Sequence, residues 1–170
     1  MRDRVDVILE QWAHARPDLD ASPMGVLGRL SRVSRLTEKR LQAIFAEHGL
    51  QPGEFDILAT IRRAAGPGGM TAGALAEAAM VTSGAITNRV DRLVAKNLVT
   101  RELDPGNRRT TLIDLTPSGR DLIDQAVVDH VANEQHTLAA LTPRQQQVLA
   151  DLLRRLLLSL DDAAHRPDGD

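Results

Sequence analysis

The chain has 170 residues, of which 42% are hydrophobic but only 2% aromatic, and its formal net charge is −2. A chain of this size holds one compact domain, and a core with so few aromatic rings is built from aliphatic side chains, which favours packed helices. The absence of cysteine excludes disulfides, thiolate catalysis and cysteine-ligated zinc, and the charged N-terminus and the lack of a long apolar run predict a cytoplasmic protein.

Helical periodicity covers the first part of the chain. Residues 4–15 predict a short amphipathic helix. After a loop, Ser22 is expected to cap a long helix whose first residue is Pro23. This helix is predicted to run to about Glu47 and to end at Gly49.

The next segment alternates helices with turns. Pro52 is expected to open a helix that continues to about Ala65, and Thr71 to cap the short helix AGALAEAA. A tight turn at Met80-Val81-Thr82 leads into a helix from about Ser83 to Lys96. The expected buried stripe of this last helix consists of Ile86, Val90, Leu93 and Val94.

The pattern then changes to the period of β-strands. LVTREL and TTLIDLT flank DPGNRR, which predicts a two-stranded hairpin with a tip of about four to six residues. Helix resumes at Thr116–Pro117 and is expected to continue to about Thr137. Thr142, Pro143 and Gln145 predict the capped start of a last helix.

That last helix contains LADLLRRLLLSL, which is apolar almost all round. A helix of this kind is buried on more than one side. In a chain this small a second subunit is the expected cover, and a bundle within one chain is the alternative. We therefore expect a homodimer.

Residues 71–116 carry the pattern with the clearest functional meaning. A tight turn between two short amphipathic helices is typical of a helix-turn-helix, which leaves the outer face of the second helix free. Small polar side chains there suit base edges in a major groove, and cations beside them suit phosphates; a solvated face without a partner is the alternative. The expected DNA contacts on this helix are Ser83, Gly84, Thr87, Asn88, Arg89, Asp91, Arg92 and Lys96.

The hairpin tip favours double-stranded DNA as the partner. Arg108 and Arg109 lie at the end of a rigid projection, and the narrow minor groove attracts such guanidinium groups. Residues 82–116 carry six basic and four acidic groups, a net +2, which leaves −4 for the rest of the chain. A basic module inside an acidic protein is typical of a DNA-binding protein.

Together these residues resemble the MarR family of bacterial transcription regulators. The resemblance implies a mainly α fold with a small β-wing, that is, a winged helix-turn-helix plus a helical dimerisation region. Residues 1–50 would hold an added helix and a dimerisation helix, 51–116 the DNA-binding lobe and 117–170 the C-terminal dimerisation helices, in one continuous domain. The family pattern is found here as Asp91-Arg92-Leu93, Leu98-Val99-x-Arg101, Asn107-x-Arg109 and Leu115-Thr116-x-x-Gly119.

Two positions depart from the family pattern. Asn97 replaces a glycine, and asparagine tolerates the left-handed conformation that such a helix end needs. Asn107 replaces the wing aspartate; it can accept a hydrogen bond in the turn but cannot form an ion pair with an arginine. The resemblance gives Arg109 a role in the minor groove and Arg108 a phosphate contact.

A narrower resemblance is to the urate-responsive, PecS-like branch of the family. It concerns Trp12 in the added helix together with Asp56, Arg89 and Arg101. A flat purine anion would stack on the indole and pair with guanidinium, while Asp56 would orient an arginine or repel the anion. The implied effector is urate or another small aromatic anion. The alternatives are that Trp12 only fixes the added helix and that no ligand binds.

Other classes of function have less support. The histidines are dispersed, and no Ser–His–acid order or phosphate-binding glycine loop is present, so no catalytic residue, cofactor or metal site is expected. A winged helix that binds proteins instead of DNA stays open as the alternative. The sequence predicts a regulator that binds a pseudo-palindromic operator and is released from it by its effector. Because proteins of the resembled family usually repress, we expect a repressor.

Overall fold

The computed structural model describes residues 2–66, 68–79 and 83–164, and these form seven helices and three strands. The helices are α1 (Arg4–Ala15), α2 (Ser22–Glu47), α3 (Pro52–Ala64), α4 (Ala72–Ala79), α5 (Ser83–Ala95), α6 (Pro117–Leu138) and α7 (Pro143–Ala164). The strands are β1 (Met70–Thr71), β2 (Val99–Asp104) and β3 (Asn107–Leu115). The expected fold class is confirmed. The predicted turn at Met80–Thr82 lies outside the described residues.

The chain divides into two compact units, residues 1–130 and 131–170. In the second unit, Thr142 and Gln145 form the predicted capping box of α7: the Gln145 amide carbonyl accepts from the Thr142 backbone N–H, and the Thr142 hydroxyl accepts from the Gln145 N–H. The division into segments 1–50, 51–116 and 117–170 stays a prediction. None of the described helices is long and apolar enough to cross a membrane.

The first unit is built around α3. This helix packs against α4, α5 and β3, and its inward side chains Phe55, Leu58 and Ile61 are buried as predicted. The rings of Phe45 and Phe55 stack with their centroids 4.2 Å apart, and aliphatic side chains fill the rest of the core. Each fully buried aliphatic side chain contributes about 1.5–3 kcal/mol to stability, so this core fixes α5 against α3.

The strands form one antiparallel sheet in the order β1-β3-β2. The predicted hairpin is present, but its tip is shorter than expected, since Asp104 pairs with Asn107 across a bulge and leaves only Pro105 and Gly106 between the strands. Strand β1 was not predicted, because two residues are too few for a period. A Cβ at Gly69 would lie 2.4 Å from the Ile113 carbonyl oxygen, so only glycine permits this pairing.

Two expected helix details were wrong. Ser22 lies inside α2 and not before it, because the Asp20 carboxylate accepts hydrogen bonds from both the backbone N–H and the hydroxyl of Ser22. Val94 is 41% exposed, since a rotation of about 100° per residue carries it some 40° beyond Val90, past the edge of the buried stripe. Asn97 has the expected left-handed conformation, with φ at 56°.

Candidate nucleic-acid interface

One face of α5 is exposed to solvent, as the sequence predicts. Thr87, Asn88 and Asp91 are exposed, whereas Ile86 on the opposite face is buried. A Cβ added at Gly84 would meet none of the described atoms within 4 Å, so the described part of the chain leaves the backbone there open to close approach. The side chain of Ser83 lies outside the described part of the structure.

Helix α3 also holds the helix that precedes α5. The Arg63 guanidinium donates a hydrogen bond of 2.6 Å to the carbonyl of Ala78, in the last turn of α4. The Thr71 hydroxyl accepts from the Ala74 N–H at the other end of α4, which confirms the predicted cap. A hydrogen bond therefore stabilises each end of α4.

Arg92 of α5 and Lys96, the residue that follows this helix, meet a buried carboxylate of α3. Glu54 has 0% of its surface exposed. It accepts hydrogen bonds from Lys96 Nζ at 2.7 Å, from Arg92 Nε at 3.3 Å and from the Gln51 backbone N–H at 2.9 Å. Burial by itself raises the pKa of Glu54, but the bonds from Lys96, Gln51 and Arg92 outweigh it and hold that pKa below its usual value. The carboxylate is therefore ionised.

The hairpin tip is stabilised by its own side chains. The Asp104 carboxylate accepts from the Gly106 N–H at 2.8 Å, and the Asn107 amide oxygen accepts from the Arg109 N–H at 3.2 Å. The hydrogen-bonding role expected of Asn107 is thus confirmed. Arg109 is exposed, and the side chain of Arg108 lies outside the described residues.

Arg101 joins the hairpin to α5. Its Nη1 lies 2.6 Å from Asp91 Oδ1, and its Nη2 donates a long hydrogen bond of 3.5 Å to the Thr87 carbonyl. The resemblance placed Arg101 in an effector site and Asp91 at the DNA. In the folded chain the two residues are partners.

Asp56 and Arg89 face each other at the start of α3. Arg89 Nη1 lies 4.0 Å from Asp56 Oδ2, and this nitrogen is buried without a hydrogen-bond partner among the described residues. The guanidinium covers Gly53, where a Cβ would lie 2.6 Å from Arg89 Nε. Burial raises the pKa of Asp56, against the opposing charges of Arg89 and His130.

Asp56 also lines a cleft of about 520 Å³ between α2 and α3. Its walls include the rings of Phe45, Phe55 and His130. Trp12 is not among the residues that line this cleft. Of the four positions implied by the PecS-like resemblance, the structure brings Asp56 and Arg89 together and pairs Arg101 elsewhere.

Trp12 lies on an added helix that has another anchor. Val5 of α1 is only 5% exposed, and Arg29 of α2 donates hydrogen bonds to the carboxylates of Asp3 and Asp6. Trp12 itself is 39% exposed. The indole is therefore not the main group that fixes α1.

Sequence reasoning missed Glu54. The spacing from Gln51 to Glu54 is that of a capping box, and the structure contains that box. The box accounts for one of the partners of the carboxylate. Arg92 and Lys96 lie 38 and 42 residues further along the chain, and no local pattern connects them with Glu54.

The comparisons with known proteins agree with this geometry. The sequence pattern of the MarR family matches residues 48–110, which contain α3, α4, α5 and most of the hairpin. The HTH-type transcriptional regulator PecS of Dickeya dadantii (strain 3937) is 39% identical over 152 residues, which are 89% of this chain and 92% of that protein.

Two solved structures of regulators are also similar to this chain. A mutant MarR from E. coli, complexed with operator DNA, has a TM-score of 0.69 and 25% identity over 86% of this chain and 97% of its own. Bordetella bronchiseptica BpsR, whose DNA binding is regulated by 6-hydroxynicotinic acid, has a TM-score of 0.68 and 25% identity over 77% of this chain and 91% of its own. The relatives are regulators and not enzymes. Since the match to PecS extends over nearly the whole of both chains, this chain belongs to the MarR family of DNA-binding transcriptional regulators, in its PecS-like branch.

Proposed function

We propose that this chain is a ligand-responsive transcription regulator, without catalytic activity, that binds a pseudo-palindromic operator as a homodimer. The observation that carries the proposal is the open polar face of α5 beside a hairpin that presents Arg109. A helix with this face enters the major groove, and an arginine-bearing hairpin reaches the adjacent minor groove. In this proposal the regulator is a repressor.

Exposed apolar surface supports the homodimer. In α2 the exposed apolar side chains include Val26, Leu27, Val33 and Leu36. In α7 they include Val148, Leu152, Leu157, Leu158 and Leu160. Patches of this extent are rare on monomers and mark interaction surfaces. Two-fold pairing would present two copies of α5 to half-sites about one helical turn apart.

The pair of Asp56 and Arg89 supports an anionic effector. Arg89 Nη1 lacks a hydrogen-bond acceptor among the described residues, and a urate oxygen or an aromatic carboxylate would supply one. Such an anion would compete with Asp56 for Arg89, which lies on the DNA-reading helix. It would release DNA only by favouring one arrangement of α5 over the other. The similarity to BpsR, whose DNA binding is regulated by 6-hydroxynicotinic acid, agrees with a small aromatic anion, of which urate is our first choice.

The test is binding of the purified protein to the intergenic DNA upstream of its own gene, followed by fluorescence anisotropy with and without urate or 6-hydroxynicotinic acid. We expect urate to release the DNA from the wild type. If the indole stacks on the anion, as the PecS-like resemblance implies, Trp12→Ala should bind the DNA but resist urate. Arg89→Ala should also resist it.

Arg62→Ala is the matched control, because Arg62 is an exposed arginine of α3 that pairs with Asp124 instead of Asp56. It should respond to urate like the wild type. If the protein does not bind DNA, and substitution of Arg109 does not change its function, a winged helix that binds proteins is favoured. A lack of any effect of urate on DNA binding and on thermal stability would exclude urate as the effector.

A further inference from the structure

Glu54 is the one fully buried carboxylate among the described residues, and it pairs with Arg92 of α5 and with Lys96, which directly follows that helix. The Lys96 ammonium group donates to Glu54 Oε2 at 2.7 Å and to the Gly49 carbonyl at 2.8 Å. Arg92 contributes its Nε at 3.3 Å. Two of the three N–H bonds of Lys96 are thereby in use within the protein.

Moving either cation onto a phosphate would weaken the pairing of this buried charge. A buried carboxylate that loses its partners is strongly destabilised, because the surrounding protein solvates charge poorly. The hydrogen bonds that keep the pKa of Glu54 low come from the same groups. Arg92 and Lys96 are therefore poor candidates for the phosphate contacts that their positions in the sequence predict.

The first turn of α3 contacts α5 through some of its residues and lines the cleft between α2 and α3 through others. Gly53 lies under the Arg89 guanidinium and Glu54 meets Arg92 and Lys96, so both residues contact α5. Phe55 and Asp56 line the cleft on the α2 side. Charged groups that contact this single turn thus add to the aliphatic packing that holds α5 against α3.

We propose that Glu54 is a positioning residue for DNA reading: it holds Arg92 and Lys96 as internal counter-ions, so that they orient α5 and do not neutralise phosphates. This inference rests on the proposed binding of duplex DNA by α5 and the hairpin. Fewer phosphate contacts reduce the sequence-independent part of the affinity, so Glu54 raises the ratio of specific to non-specific binding.

The experiment measures the slope of log K against log salt concentration for the full-length protein, on its own upstream intergenic DNA and on a random-sequence duplex. The slope is negative, and each lost phosphate contact makes it shallower by about 0.9. Lys96→Gln and Arg92→Gln should weaken binding by a similar factor at every salt concentration and leave the slope unchanged. Arg109→Gln is the matched control and should make the slope shallower by about 0.9.

Glu54→Gln should change the slope in the direction opposite to that of Arg109→Gln. It frees both cations, so the slope should steepen by about one to two units on both duplexes, and the ratio of specific to non-specific affinity should fall. A purely structural role would reduce affinity without steepening the slope. Circular dichroism and the melting temperature verify that the variant folds, and if it does not, the Lys96 and Arg92 variants decide the question.

A loss of about 0.9 in slope for Lys96→Gln or Arg92→Gln, equal to that of the Arg109 control, overturns the inference and leaves the proposed function in place. Failure of the wild type to bind either duplex overturns both.

Discussion

Arg101 Nη1, in strand β2, lies 2.6 Å from Asp91 Oδ1 in α5. The pair connects the hairpin to α5, the two elements that the proposed complex presents to adjacent grooves. Both side chains are partly exposed, so the ion pair is a weak bond whose main effect is on orientation.

We expect Arg101→Met and Asp91→Asn to lower the free energy of unfolding by amounts that are not additive. A double-mutant cycle in urea should give a coupling energy of about 0.5 kcal/mol. Each single variant should also weaken DNA binding. Additive effects on stability would mean that the two side chains do not interact in solution.

Arg109→Ala should weaken DNA binding, because the variant removes one cation from the hairpin. The slope of log K against log salt concentration should become shallower by about one unit. Anisotropy titrations over a range of salt concentrations measure this slope. Arg62→Ala, which removes an exposed arginine that pairs with Asp124, should retain the slope of the wild type. Equal slopes for Arg109→Ala and the wild type would remove Arg109 from the interface.

Gly53→Ala should displace Arg89, since the new Cβ would lie 2.6 Å from Arg89 Nε. The arginine side chain is flexible, so the fold should survive while urate-dependent release of DNA weakens. Gly73→Ala is the control: its Cβ would meet only the Thr71 hydroxyl, at 4.0 Å, and an alanine in helix α4 should stabilise it by up to about 1 kcal/mol. An unchanged urate response in Gly53→Ala would argue against Arg89 as an effector contact.

Arg29→Ala should loosen α1, because Arg29 bonds both Asp3 and Asp6 at the start of that helix. Trp12 is the only tryptophan of the chain, so its fluorescence reports the position of α1 directly. We expect a red-shifted emission and greater quenching by iodide. Arg16→Ala, which removes the exposed pair with Asp18 after α1, should leave the emission unchanged; an identical shift in both variants would contradict the anchoring role of Arg29.

Glu54→Gln should destabilise the protein in a pH-dependent way. The pKa of Glu54 is lowered from its usual 4.5 in the folded state, so the unfolded chain binds the proton more tightly. The stabilisation is therefore present above pH 4.5 and is lost as the pH falls through the folded-state pKa. We expect a loss of about 1–3 kcal/mol at neutral pH.

Urea denaturation from neutral to acid pH measures this difference, which should shrink below about pH 4.5. Glu77→Gln, an exposed carboxylate of α4, is the control and should change stability little at any pH. A difference for Glu54→Gln that stays constant down to acid pH would show that the charge of Glu54 does not contribute.

Local patterns predicted the elements well because their signals act over a few residues. The prolines at the starts of α3 and α7, the capping hydroxyls of Thr71 and Thr142 and the left-handed Asn97 all operate within one helical turn. The errors at Ser22 and Val94 also concern single turns, where a neighbouring carboxylate or a small rotation changed the outcome. Strand β1 is too short to carry a period at all.

The sequence by itself determined the order of the helices and the hairpin, the family and the face of α5 that stays open, since periodicity, caps and motif spacing are properties of neighbouring residues. Only the tertiary structure decided which charges meet: Glu54 with Arg92 and Lys96, Arg101 with Asp91, and Asp56 with Arg89. Those pairings follow from the packing of α3 against α5 through buried aliphatic side chains. Such contacts are non-directional, so they leave no record in the sequence of which charges they bring together.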